Sequence, residues 1–163
     1  MKKIILILLS LPVLAKSSNA QSENSGPASM AVYGEFLGSG LTFSANFDMR
    51  FKGYKGLGFR VGVGYAGADG DGIISFPLGI NALLGKGPHH FEVGASATLV
   101  TDTYSGFDDG ASSWFFHPYF GYRYTKPSNS FNGRIYVGPI IASGFSFFPY
   151  GGISVGYTLG RKK

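Results

Sequence analysis

The sequence predicts an all-β fold: a closed, antiparallel, up-and-down transmembrane β-barrel of eight strands, preceded by a cleaved signal peptide. Three observations predict it. Apolar and polar side chains alternate with a period of two over repeated segments of about 9 to 12 residues, the length of a tilted strand crossing a hydrocarbon layer. Gly (26), Phe (15) and Tyr (10) are abundant for 163 residues, which suits a wall with aromatics turned to lipid and small residues facing a narrow lumen. Beyond the N-terminal segment no apolar stretch reaches about 18 residues and no 3.6-residue periodicity is sustained, which argues against helical spans.

The N-terminus reads as a targeting segment. Lys2 and Lys3 open the chain, 4–14 is apolar, and Ser18-Asn19-Ala20 places small residues where a signal peptidase cuts, so 1–20 is a signal peptide removed before Gln21. The apolar run is too short to cross a bilayer as a helix, which makes an uncleaved anchor the weaker reading. Residues 21–29 then form a flexible N-terminal segment, 30–159 the barrel and 160–163 a basic tail. No cysteine is present, so neither disulfides nor a lipid-bearing N-terminal Cys is expected. The formal charge is +5, but loss of Lys2, Lys3 and Lys16 leaves eleven Lys and Arg against nine acids, or +2, and nothing suggests nucleic acid.

The strands follow in order. The clearest is 57–65, where Leu57, Phe59, Val61, Val63 and Tyr65 alternate with Gly58, Arg60, Gly62 and Gly64. Segment 41–51 sets Leu41, Phe43, Ala45, Phe47, Met49 and Phe51 against Thr42, Ser44, Asn46, Asp48 and Arg50, and its shorter partner is 30–36. In 74–84, Ile74, Phe76, Leu78, Ile80, Ala82 and Leu84 face outward; in 91–99, Phe91, Val93, Ala95, Ala97 and Leu99 do, with Glu92, Gly94, Ser96 and Thr98 inward. Segment 114–125 opposes Trp114, Phe116, Phe120, Tyr122 and Tyr124 to His117, Tyr119, Gly121 and Arg123. Segments 131–141 and 150–159 complete the set, with Asn132, Arg134, Tyr136, Ser154 and Thr158 inward. An open sheet edge has no hydrogen-bond partners in lipid, so the sheet must close, and an even strand number returns both termini to the periplasmic side.

Connections and charge agree with that topology. Turns at 52–56, 85–89 and 126–130 fall at the periplasmic end, and loops at 38–40, 66–72, 102–113 and 143–149 at the outer end, the first being very tight. Asp69, Asp71, Asp102, Asp108 and Asp109 lie in the outer loops, whereas Lys52, Lys55, Lys86, Lys126, Arg161, Lys162 and Lys163 lie at the inner end. Aromatic girdles are expected from Tyr65, Trp114, Phe148 and Tyr150 above and from Phe51, Phe91, Tyr122, Tyr124, Phe131 and Tyr157 below.

Several segments carry a resemblance. The run Phe76-Pro77-Leu78-Gly79-Ile80-Asn81-Ala82-Leu83-Leu84-Gly85, then His90-Phe91-Glu92-Val93-Gly94, Phe120-Gly121-Tyr122-Arg123-Tyr124 and Pro149-Tyr150-Gly151-Gly152-Ile153-Ser154-Val155-Gly156-Tyr157, resembles small outer-membrane β-barrel proteins of unknown function from Gram-negative bacteria. The likeness spans roughly 32–159 and implies fold and location more than activity. The last strand also resembles a recognition signal for the outer-membrane assembly machinery, through Tyr150, Gly152, Val155 and Tyr157. It departs from that pattern by continuing to Lys163 instead of ending on an aromatic.

The inward charges are Glu35, Asp48 and Glu92 against Arg50, Arg60, Arg123 and Arg134. An eight-stranded barrel is just wide enough for side chains to fill, so a lumen network of ion pairs is expected rather than a channel. His117 is the histidine placed mid-wall; with an inward Ser and an acid it would make a triad of the kind a lipid A deacylase or acyltransferase needs, but no Ser-His-Asp spacing points outward. Gly62-Val63-Gly64-Tyr65-Ala66-Gly67 fits GxGxxG, but it ends a strand and leads to no helix, so a turn is expected and no phosphate site. Asp69-Gly70-Asp71-Gly72 and Asp108-Asp109 lack the remaining positions of a calcium loop, and His89 and His90, in a turn with opposite facing, make a poor metal pair.

The functional expectation is therefore an integral outer-membrane barrel with a structural or surface-interaction role, monomeric, without cofactor, in contact with outer-membrane lipids and lipopolysaccharide. The alternatives are a lipid-modifying enzyme, a narrow pore or small hydrophobic-ligand carrier, and a soluble lipocalin-like barrel whose apolar faces would turn inward.

Overall fold

The computed structural model describes residues 29–68, 71–102, 112–125, 130–142 and 145–159. The expected signal peptide, most of the 21–29 segment, the 160–163 tail, Lys126, Asp69, Asp108 and Asp109 lie outside them. Eight strands run in order: β1 (Met30–Leu37), β2 (Phe43–Arg50), β3 (Gly56–Ala68), β4 (Asp71–Leu84), β5 (His89–Asp102), β6 (Ser113–Thr125), β7 (Phe131–Ala142) and β8 (Phe145–Leu159). Each pairs antiparallel with the next, and β1 pairs with β8 from Met30↔Leu159 to Leu37↔Gly152, which closes the barrel. Met30 and Leu159 mark what is called here the terminal end; the β1–β2 connection lies at the far end.

Alternation sets the two faces. Along β1 the outward residues Met30, Val32, Gly34 and Phe36 are exposed while Ala31, Tyr33 and Glu35 are buried, and the other strands repeat the scheme. Leu57, Leu78, Ile80, Phe120, Ile135 and Val155 are each more than half exposed, and the fully buried side chains are led by Arg60, Arg123, His90, His117 and Glu92. The barrel is apolar outside and polar inside. The apolar faces turn outward, so the lipocalin-like alternative does not describe it.

The strands are longer at the far end than alternation alone marks out. Ala68 pairs with Asp71 and β8 begins at Phe145, so most of 66–72 and 145–149 is paired strand rather than loop. Backbone pairing continues past the last alternating residue because hydrogen bonds hold a hairpin together without any facing rule. His89 and His90 likewise open β5 and are not in a turn, and Gly62 to Gly67 lie within β3. The opposite correction applies to 41–42. Strand β2 starts only at Phe43, because the chain leaves β1 and turns into the lumen through a 3-10 turn at Gly38–Gly40, whose three residues are buried. The tight outer loop is an inward-folded cap.

Candidate functional site: a layered polar lumen

Strand parity directs the inward side chains of all eight strands into one narrow core. Glycines on the same face make room for the larger ones: a Cβ at Gly58 would strike Arg50, and one at Gly121 or Gly152 would strike Tyr136. Two layers result.

The first layer, toward the terminal end, is ionic. Asp48 accepts from Arg50 Nη2 at 2.7 Å and from Arg123 Nη2 at 3.1 Å. Arg123 also donates from Nε to Glu92 at 2.9 Å, and Arg134 Nε lies 3.7 Å from the same Glu92 oxygen. Arg134 Nη2 reaches Glu35 at 3.2 Å, and Glu35 accepts from Arg60 Nη2 at 2.9 Å. The charges therefore alternate in sign along one chain: Arg50, Asp48, Arg123, Glu92, Arg134, Glu35, Arg60. Amides and phenols fill the remaining valences. Asn81 donates to Asp48 at 2.9 Å and accepts from Arg50, Asn46 accepts from Arg60 at 3.1 Å, and the Tyr33 hydroxyl accepts from Arg134 at 3.0 Å. The Arg134 guanidinium also lies 4.3 Å from the centre of the Tyr136 ring, a cation–π contact. In this layer Arg123 and Arg134 stand directly opposite across β6 and β7. Like charges so placed repel, and Glu92, reached by both, offsets the repulsion.

The second layer, toward the far end, is made of hydroxyls and one imidazole around the Gly38–Gly40 turn. The Ser39 amide donates to the Tyr136 hydroxyl at 2.9 Å, Ser39 Oγ lies 3.2 Å from His117 Nδ1, and Ser96 Oγ donates to Ser39 Oγ at 2.7 Å. Thr98 donates to the Ser39 carbonyl at 2.9 Å, Ser75 to the Gly40 carbonyl at 2.8 Å, and Tyr150 to the Leu41 carbonyl at 3.1 Å. Strands β4 to β8 thus each bond the turn or the residue after it. Its backbone is strained on both sides. Leu37 has φ 61° and ψ −157°, and Leu41 φ 71° and ψ −112°, regions that favour glycine and cost a side chain on the order of 1–3 kcal/mol each. Gly38, at φ +77°, packs against the Tyr136 hydroxyl, where a Cβ would not fit.

All eight residues expected to form the lumen network, Glu35, Asp48, Arg50, Arg60, Glu92, His117, Arg123 and Arg134, are buried. The structure brings the seven charges together and sets His117 apart, in the hydroxyl layer. Two buried polar residues stand outside that set: Ser39, which sits in no strand, and His90, which is buried at the terminal end with its ring 6.0 Å from Tyr54. Asn46 and Asn81 occupy inward positions and were legible there.

The aromatic residues divide less evenly. Phe51, Phe91, Tyr122, Phe131 and Tyr157 are exposed around the terminal end, with the Tyr124 ring tilted against that of Phe131 at 6.2 Å between centres; Tyr65 and Trp114 are exposed toward the far end. Tyr150 is a correction. It shares its face with Gly152 and Ser154, points inward, and brings its ring within 6.2 Å of His117. Phe148 shares that face by parity and is exposed because β1 ends opposite Gly152, leaving this part of β8 without β1 beside it. The four positions expected as an assembly signal therefore split, with Tyr150 and Gly152 inward and Val155 and Tyr157 outward.

No family model and no curated protein matches the sequence. Among solved structures, the chain is similar to the N-terminal β-barrel domain of Pseudomonas aeruginosa OprF, at 11% identity and a TM-score of 0.55, covering 83% of this chain and 99% of that one. A weaker likeness is to Neisserial surface protein A, NspA, at 17% identity and a TM-score of 0.47, covering 80% of this chain and 92% of that one. At such identities the first likeness speaks to the fold, a closed antiparallel eight-stranded barrel.

Proposed function

We propose that this chain is an integral outer-membrane protein, exported and cleaved before insertion, with a structural or surface-interaction role and a lumen filled by side chains rather than open to ions. The observation that carries the reading is the inverted wall: large apolar side chains cover the outside while charge is buried within. Water would leave that surface unsatisfied, and hydrocarbon suits it. The terminal end then faces the periplasm, with Lys52, Lys55 and Lys86 near the inner headgroups, and the far end faces outward. Outer-membrane lipids and lipopolysaccharide contact the belt, the assembly machinery engages β8, and the closed sheet supports a monomer, since closure gives every strand two neighbours.

Heat-modifiable migration on gels after detergent extraction tests the membrane reading. A barrel that extracts fully into plain buffer overturns it. The filled lumen is tested in planar bilayers, where steady open conductance would sink it. A lipid-modifying activity would use Ser39 with His117, whose contact is of the right kind, but both residues are fully buried. A fluorophosphonate that labels the protein and fails on Ser39→Ala would favour the enzyme instead.

A further inference from the structure

We propose that the Gly38–Gly40 turn is a displaceable lid, which swings out of the far mouth and exposes the Ser96, Thr98 and His117 floor to solvent. Three independent observations converge on it. The first is where the strain lies. Among the described residues, Leu37 and Leu41 are the non-glycine positions with positive φ, and they bracket the turn as a pair of hinges. Strain stored at both ends of a three-residue segment is released when the segment leaves its inward pose, whereas strain scattered through a wall has no such coordinate.

The second observation is the kind of bond that holds the turn. Its contacts with Ser75, Ser96, Thr98, His117 and Tyr136 are single hydrogen bonds between uncharged donors and acceptors, or to an imidazole, and water can replace each of them once the turn moves. None is an ion pair of the kind that locks the layer below. The third is that the wall does not have to open. The Leu37 amide donates to the Thr42 carbonyl at 2.7 Å and Phe36 pairs with Phe43, so the hairpin base is closed beneath the turn, and Gly38, Ser39 and Gly40 can pivot above it without breaking a pair between β1 and β2. Gly, Ser and Gly carry no bulk or charge to obstruct the passage.

The chain has no cysteine, so Ser39→Cys introduces a single thiol. The test is carried out on the full barrel in detergent micelles, with folding scored by heat-modifiable mobility, using a water-soluble maleimide and the exposed position Ser113→Cys as the reference. Ser39→Cys is expected to label fully but about tenfold or more slowly than Ser113→Cys, as for a site reached through local opening. Adding Leu41→Gly, which removes hinge strain from the closed pose, slows labelling, and adding His117→Ala speeds it. A thiol at position 39 that stays unlabelled while the reference goes to completion, or a rate indifferent to both added substitutions, overturns the lid. Should Ser39→Cys fail to fold, amide exchange on the unsubstituted protein decides. The Ser39 amide, bonded to a side-chain hydroxyl, exchanges about tenfold faster than amides at the centres of β5 and β6 if the lid opens. Equal protection refutes the proposal.

Discussion

The two layers of the lumen are both buried and both polar, yet they are held by different physics. The ionic layer consists of side chains fixed on strands, each charge flanked by charges of opposite sign, so removing one member strands its neighbours in a low-dielectric core. The hydroxyl layer surrounds a turn that belongs to no strand, carries backbone strain at Leu37 and Leu41, and is bound by neutral groups. Burial alone therefore does not say how firmly a segment is held. The charge of the groups it touches, and whether its own backbone is at rest, do.

The comparison is broken most severely at Glu92, which is fully buried and contacts both Arg123 and Arg134. In Glu92→Gln these opposed guanidiniums lose the anion between them, and a loss of about 3–5 kcal/mol is expected, the range for a buried pair deprived of one partner. Urea unfolding in lipid vesicles measures it, with Trp114, the single tryptophan and an outward one, as the fluorescent reporter. A change under about 1 kcal/mol would mean that the layer is not held by its charges. Arg60→Met is the milder cut. It removes the last cation of the alternating chain, while Glu35 keeps Arg134 at 3.2 Å, so about 2 kcal/mol is expected in the same assay.

The ionic layer was the legible one. Period-two alternation places Glu35, Asp48, Arg60, Glu92, Arg123 and Arg134 on one face of their strands, and a narrow barrel leaves them no choice but to meet. What alternation does not encode is depth and departure. It assigns Leu41 and Thr42 to a strand because their polarity alternates, but the chain bends into the lumen before them. Tyrosine suits a headgroup belt, which argues for Tyr150 outside, whereas the parity of Gly152 and Ser154 in the same segment turns it inward. Ser39 offered no facing signal at all, since the two glycines flanking it belong to a turn rather than to a face. The far-end strand extensions at Ala68 and Phe145 carry no sequence signal for a related reason: beyond the wall, pairing depends on the backbone and leaves no polarity pattern.

Ser39→Ala probes the hydroxyl layer. The substitution removes a hydroxyl that accepts from Ser96 and contacts His117, but it keeps the backbone bonds to Tyr136 and Thr98, so a loss of about 1 kcal/mol is expected, well below that for Glu92→Gln. An effect as large as that of Glu92→Gln would erase the distinction between the layers.

The smallest effect, and one of opposite sign, is expected on the outside of the wall. Gly34 lies mid-strand in β1 on the outward face, between Ala45 and Val155, where it floors a shallow depression rimmed by Phe36, Phe43 and Val63. A Cβ there meets no atom within 4 Å. An inward glycine such as Gly121 is required by the close approach of the β7 chain at Ile135 and Tyr136, whereas nothing in the fold requires this one, and its backbone does not have positive φ. Gly34→Ala should therefore restrict the unfolded chain without straining the barrel and add about 0.5 kcal/mol of stability, read as a higher urea midpoint with unchanged slope. Gly121→Ala, identical in chemistry but placed against Tyr136, should lower the midpoint. If both substitutions move it the same way, room for an added methyl is not what distinguishes these two glycines.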